Sequence, residues 1–215
     1  MPRESIAAKS SRLGRILITL RGAYPDAHCE LGHADPLQLL VATILSAQCT
    51  DKQVNTVTPG LFNKYRSAAD YAAAPPAEFE QDIRRIGLFR TKAKNIQAAC
   101  RMMAQHHGGE VPRSMGALLE LPGVGRKTAN VVLGNAFGIN EGIVVDTHVA
   151  RLSARLRLAS SSSPELIEKA LMKIVPRDLW AQLSHWLIWH GRRRCGARRP
   201  DCAGCELRVL CPSAA

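Results

Sequence analysis

The sequence predicts an all-α fold built from many short helices, on three observations. Apolar residues recur every three to four positions in one segment after another, the spacing of a single helical face. Cap residues, Pro and Gly stand at the ends of those segments. Period-two alternation is almost absent, and the one β-branched run, Gly142-Ile143-Val144-Val145, is too short to imply a sheet.

Arg12 to Arg21 carries Leu13, Ile16, Leu17 and Leu20 on one face and stops at Gly22. Asp35-Pro36 reads as an N-cap followed by proline in the first helical position, with Leu37, Leu40, Val41, Ile44 and Leu45 behind it. Pro75-Pro76 starts a further helix that Gly87 ends. Thr91 to His107 turns Ile96, Ala99, Cys100 and Met103 inward and closes at Gly108-Gly109. Ser163-Pro164 repeats the cap-plus-proline start ahead of Leu166, Ile167, Ala170, Leu171 and Ile174. A last long helix covers about Asp178 to His190 and closes at Gly191. There is no internal repeat, and Ser160 to Ser163 is a short loop.

The 215 residues suffice for one large domain or two small ones with a well-buried core. Lys and Arg number 29 against 18 Asp and Glu, a net charge of +11, which implies an anionic partner, most simply a phosphate backbone. Apolar runs fall far short of the roughly 20 residues of a membrane helix. The opening segment lacks the apolar core and cleavage site of a signal peptide. A soluble protein of a reducing compartment, the cytoplasm, is the expectation.

Of seven cysteines, Cys29, Cys49 and Cys100 sit among apolar neighbours and read as buried structural thiols. The other four, Cys195, Cys202, Cys205 and Cys211, are spaced C-x6-C-x2-C-x5-C. Four thiolates so close together can surround one metal centre, either zinc or a [4Fe–4S] cube. Arg192, Arg193, Arg194, Arg198, Arg199 and Arg208 are interleaved with them. A cysteine-ligated centre on a basic loop suggests contact with nucleic acid.

Leu121-Pro122-Gly123-Val124-Gly125-Arg126-Lys127 links an apolar stretch, Met115 to Leu121, to a helical one, Thr128 to Ala136. Two glycines two apart allow a tight turn and close approach of a ligand. Free amides at the start of the second helix suit a phosphate, and Arg126-Lys127 strengthens that reading. An ordinary connector between packed helices is the plainer reading of the turn alone.

The segment Leu121 to Val132 (LPGVGRKTANVV) resembles the helix-hairpin-helix of the endonuclease III family of DNA glycosylases. Ser46 to Asp51 (SAQCTD) resembles that family's SAQ-x-TD loop, and Val145 to Val149 its VDTHV segment. The cysteine array has its iron–sulfur spacing. The likeness spans about Leu13 to Pro212.

The resemblance implies two helical domains flanking a DNA-binding cleft. Residues 31–140 would form a six-helix barrel with the helix-hairpin-helix, and residues 1–30 with 141–215 a helical iron–sulfur domain. It implies a bifunctional enzyme of base excision repair. Such an enzyme removes oxidised or damaged pyrimidines from double-stranded DNA and cleaves abasic sites by β-elimination through a lysine Schiff base. A monomer is expected. Lys127 matches the family's nucleophile; Arg126, the helix start and partial burial would all disfavour an ammonium there. A phosphate-contacting lysine is the plainer alternative. Asp146 matches the catalytic carboxylate and occupies an N-cap position, where it would accept backbone N–H bonds. Gln48 and Leu88 match the two residues that fill the gap left by an extruded base. Gly123, Val124, Gly125 and Arg126, with Arg198 and Arg199 of the cysteine loop, would contact DNA. Cys195, Cys202, Cys205 and Cys211 would hold a [4Fe–4S] cluster. Gly116, Leu119 and the Gly138 to Asp146 loop depart from some relatives, and none of them removes a reacting group. Two further readings are a mismatch-specific thymine or uracil glycosylase and a catalytically weak DNA-binding iron–sulfur protein.

Overall fold

The structure, a computed structural model, describes residues 4–214, and among them it is helical with no strand; the one extended pairing is an isolated antiparallel bridge, Cys195 to Pro200. The chain divides into two compact units, Met1–His28 with Gly142–Ala215, and Cys29–Glu141.

The Cys29–Glu141 unit is organised around α2 (Pro36–Ser46), in which seven consecutive residues, Leu39 to Leu45, are buried. A helix apolar on all sides must lie inside its neighbours, and α2 packs against α3 (Asp51–Lys64), α6 (Phe89–His106) and α8 (Arg126–Phe137). Asp35 caps it through Gln38 N–H, with Pro36 at the first position, as the sequence implies. The short helices α4 (Ala68–Ala73) and α5 (Pro76–Asp82) pack on α6, and α7 (Met115–Glu120) on α8. Tyr65, Tyr71 and Phe79 form an aromatic cluster with centroids 5.1 to 5.7 Å apart, in which Phe79 meets both tyrosines edge-to-face.

Two helices here are not evident from the sequence. Pro59 lies inside α3, where it removes an i to i−4 bond and disguises the helical pattern. α4 has six residues, held by a capping box in which Ser67 and Asp70 each satisfy the other's backbone N–H. The helix begun at Pro76 ends at Asp82, short of Gly87, and α6 begins at Phe89, ahead of Thr91.

In the other unit, α11 (Trp180–Arg193) packs against α1 (Ile6–Ala23) and α9 (Thr147–Arg155), and α9 against α10 (Pro164–Met172). Leu13, Ile16 and Leu20 of α1 meet Trp186 and Leu187 of α11 in one buried cluster. The last helix runs through Gly191 to Arg193, two residues beyond the expected stop. Leu166, expected on the buried face of α10, is 55% exposed; that face is made by Ile167 and Leu171. No described helix is long and apolar enough to cross a membrane.

Candidate functional site

The turn between α7 and α8 takes its shape from Gly123, whose φ of +79° lies in the left-handed region. A Cβ there would come within 2.8 Å of Asn95 Cβ on α6, so both the dihedral and the space demand glycine. Gly125 is the N-cap of α8 at φ −95°, with open space around it. No side chain caps this start, whereas Asp35, Thr50, Ser114 and Asp146 cap the starts of α2, α3, α7 and α9. A helix start with no side-chain acceptor and Arg126 and Lys127 in its first turn suits an anionic ligand. Val124, expected among the DNA-contacting residues of the hairpin, buries its side chain and donates its N–H to the Leu121 carbonyl at 3.1 Å. It fixes the turn because an apolar side chain at this position gains more from the core than from water.

Lys127 occupies the second position of α8 and is exposed. The partial burial expected for it is absent, since the buried residues of α8 begin only at Ala129.

Gln48 and Leu88 are brought together. Both are non-glycine residues in the left-handed region, at φ 53° and 58°, a conformation costing about 1–2 kcal/mol. The Gln48 carbonyl lies 3.8 Å from the point where Gly87 would carry a Cβ, so the two turns pass side by side. Leu88 is 59% exposed and Gln48 is exposed, although Leu39 to Leu45 of α2 and Lys92 and Ala93 of α6 close by in sequence are buried. Buried Lys92, which sequence reasoning passed over, donates from Nζ to the carbonyls of Leu45 (2.8 Å) and Ala47 (2.6 Å).

Asp146 is the N-cap of α9, following the buried run Ile143 to Val145. It is half-buried, and its Oδ1 accepts the N–H of His148 and of Val149, each at 2.8 Å. His148 packs locally, within 3.1 Å of Arg151 Nη2 and against Gly191.

The C-terminal loop gathers Cys195, Cys202, Cys205 and Cys211 around a cavity of about 40 Å³ whose apolar wall includes Leu152, Leu156 and Leu207. One water needs roughly 10–15 Å³, so the space is larger than a single water requires. Burial pushes the Cys205 thiol above the ordinary thiol range. Four free cysteines lining one cavity offer a set of thiol donors of the kind that can hold a metal centre. Sequence reasoning missed what surrounds them. Arg155 donates to Cys195 Sγ at 3.0 Å and to the carbonyls of Gly196 and Ala197, both at 2.9 Å. His190, Cys205 and Glu206 bring ligand atoms within 4.8 Å of one another. His190 Nε2 lies 3.5 Å from Cys205 Sγ, and its Nδ1 lies 3.0 Å from the Tyr24 hydroxyl. Burial holds this imidazole below the usual histidine range.

Arg198 and Arg199 are exposed on the same loop. Arg194 is not part of the positive surface that the sequence suggests, because it is paired with Asp201 at 2.8 Å and Glu206 at 3.0 Å. Of the remaining cysteines only Cys100 is fully buried; Cys29 and Cys49 are half-buried.

Residues 41–177 match the model of the HhH-GPD superfamily of base excision DNA repair proteins. The chain is 53% identical over 209 residues to Endonuclease III of Synechocystis sp., covering 97% of this chain and 95% of that one. It is 43% identical over 203 residues to Endonuclease III of Escherichia coli, covering 94% and 95%. Among solved structures it resembles a non-covalent Endonuclease III–DNA complex at a TM-score of 0.90 and 50% identity, covering 95% and 96%. A thermostable thymine-DNA glycosylase matches at a TM-score of 0.85 and 26% identity, covering 96% and 98%.

Proposed function

Since the chain belongs to the HhH-GPD superfamily of base excision DNA repair proteins, and within it to the endonuclease III family, we propose that Lys127 and Asp146 carry out its chemistry on damaged pyrimidines in duplex DNA. The protein is a DNA glycosylase with AP lyase activity. The Lys127 amine attacks C1′ of the damaged nucleotide and the glycosidic electron pair leaves with the base; the nitrogen then loses a proton, and its lone pair opens the sugar ring by breaking the C1′–O4′ bond, with O4′ taking up a proton, to give a Schiff base. Loss of a C2′ proton then expels the 3′ phosphate and breaks the strand. Asp146, its Oδ1 fixed in place by two backbone N–H donors, offers its carboxylate to the cationic sugar.

The other roles follow from placement. The hairpin at Gly123 and Gly125, with Arg126, holds a phosphate. Arg198 and Arg199 take further phosphates from the cysteine loop. Gln48 and Leu88 occupy the gap left by the extruded base. Cys195, Cys202, Cys205 and Cys211 hold a [4Fe–4S] cluster, which gives the loop its shape and supplies a redox-capable centre. The enzyme acts as a monomer in the bacterial cytoplasm, where its substrate lies.

The observation that carries this reading is an exposed lysine in the uncapped first turn of α8, directly after the hairpin. Borohydride trapping on duplex DNA containing an abasic site tests it. A covalent complex forms with the native chain and disappears with Lys127→Ala; no trapping with the native chain leaves only the DNA-binding reading. Likeness to a thymine-DNA glycosylase favours mismatched thymine as the second substrate reading. Duplexes carrying thymine glycol, dihydrouracil, or uracil or thymine mispairs separate the two.

A further inference from the structure

Lys92 is buried, 5% exposed, although lysine is among the residues least often found inside. Its ammonium does not meet a carboxylate. It donates to Leu45 O at 2.8 Å and Ala47 O at 2.6 Å, carbonyls at the C-terminal end of α2. Helix ends leave such carbonyls without intrahelical partners, and a cation there also answers the negative end of the helix dipole. A cap alone does not need a buried charge, since a glycine turn closes most helices. What sets this one apart is where it begins and ends.

Lys92 stands one turn into α6, and its own N–H bonds the Leu88 carbonyl at 3.1 Å. Its Nζ grips the carbonyl of the residue immediately before Gln48. One side chain thus spans from the helical turn that starts at Leu88 to the turn that presents Gln48. These are the two exposed left-handed residues whose turns run side by side past Gly87. Each is strained by itself, so each turn would relax if its neighbours let it.

We propose that Lys92 is a positioning residue that locks Gln48 and Leu88 at a fixed separation, so that the pair enters the base stack as one rigid wedge. The proposal rests on the assignment of Gln48 and Leu88 as the gap-filling residues. Without the clamp, the Ala47 carbonyl turns to water, the Gln48 turn swings, and the wedge enters as two independent loops. Base extrusion suffers, because that step needs both tips in place. The lyase step on a ready-made abasic site suffers less, because no base has to leave the stack.

Lys92→Met keeps the length and apolar stem and removes the donors. Two readings are taken beside far-ultraviolet circular dichroism: single-turnover excision from a thymine glycol duplex, and the fluorescence gain of 2-aminopurine placed opposite a tetrahydrofuran abasic analogue. The variant keeps its helical signal, loses about tenfold or more in excision rate, loses most of the fluorescence gain, and loses less in lyase rate on a natural abasic site. Native excision and fluorescence in Lys92→Met overturn the proposal, as do equal losses in excision and lyase rates. Should that variant not fold, Lys92→Gln decides, since its amide can donate but is too short to span both carbonyls; native behaviour there also overturns it. Gln48→Ala and Leu88→Ala are measured alongside. If neither lowers excision or fluorescence, the wedge assignment itself is wrong and the clamp falls with it. If both do while Lys92→Met does not, only the clamp is wrong.

Discussion

Asp146 Oδ1 accepts the backbone N–H of Val149 at 2.8 Å, and the same oxygen takes the N–H of His148 at an equal distance. The carboxylate is therefore both the cap of α9 and a fixed anion, and the two functions separate by substitution. Asparagine caps a helix about as well as aspartate, so Asp146→Asn changes stability by only a few tenths of a kcal/mol. It removes the charge, and turnover falls about a hundredfold or more while binding to abasic-site duplex persists. Asp146→Ala loses cap and charge together and costs about 1 kcal/mol of stability besides. Thermal unfolding and single-turnover kinetics on the three proteins check this. Native turnover in Asp146→Asn removes the carboxylate from the mechanism.

The two hairpin glycines answer to different demands. Gly123→Ala meets a φ of +79° and a Cβ contact of 2.8 Å to Asn95, so it destabilises by about 1–3 kcal/mol. Gly125 has a φ of −95° and nothing within 4 Å, so Gly125→Ala stays within about 0.5 kcal/mol of the native stability. If the backbone at Gly125 approaches a phosphate, the same substitution still weakens DNA binding. Denaturant unfolding and binding titrations at one salt concentration resolve the pair; unchanged affinity in Gly125→Ala shows that no ligand comes close there.

Arg155 fastens the start of the cysteine loop with a guanidinium fork shared between Cys195 Sγ and the carbonyls of Gly196 and Ala197. Lysine keeps the charge but not the fork. Arg155→Lys therefore loses iron faster than the native chain when challenged with a chelator, seen as decay of the broad absorbance near about 400 nm that a [4Fe–4S] cluster gives. Iron and sulfide per chain are measured at each time. Equal rates of loss place the strength of the loop elsewhere. Stoichiometric zinc with no sulfide in the freshly purified native protein overturns the cluster itself.

Local signals made much of this fold legible. Asp35-Pro36, Ser163-Pro164 and Asp146 mark helix starts because capping chemistry acts within three residues. α3 escaped because Pro59 breaks the expected pattern mid-helix, and α4 because one and a half turns give no measurable period. At the candidate site, motif likeness picked out Gln48 and Leu88, but nothing in their side chains foretells a left-handed backbone. Nor does motif likeness foretell that the Val124 side chain is buried in the core. Lys92, Arg155 and His190 were invisible for one shared reason. Their partners lie 40 or more residues away in sequence or across helix ends, and no local pattern encodes which carbonyl or sulfur a folded chain will bring to them.

His185, in α11, gives stability a pH dependence whose sign follows from burial. Burial, with a smaller contribution from the charge of His28, pushes its imidazole from the ordinary 6.5 down to about 4. In the unfolded chain the ring takes up its proton below about 6.5, while in the folded chain it stays neutral until about pH 4. Between those values the unfolded state binds more protons, so stability is fully present above the upper limit and falls as pH falls through the window. The loss is at most about 1.4 kcal/mol per pH unit and stops near the lower limit, where both states are protonated. His185→Gln has no such group to titrate. Urea unfolding of both proteins at intervals from pH 8 to about pH 4 reads the difference. The gap in stability between native and variant narrows on acidification across the window; a gap that stays constant means that His185 reaches solvent in the folded chain and titrates as it does in the unfolded one.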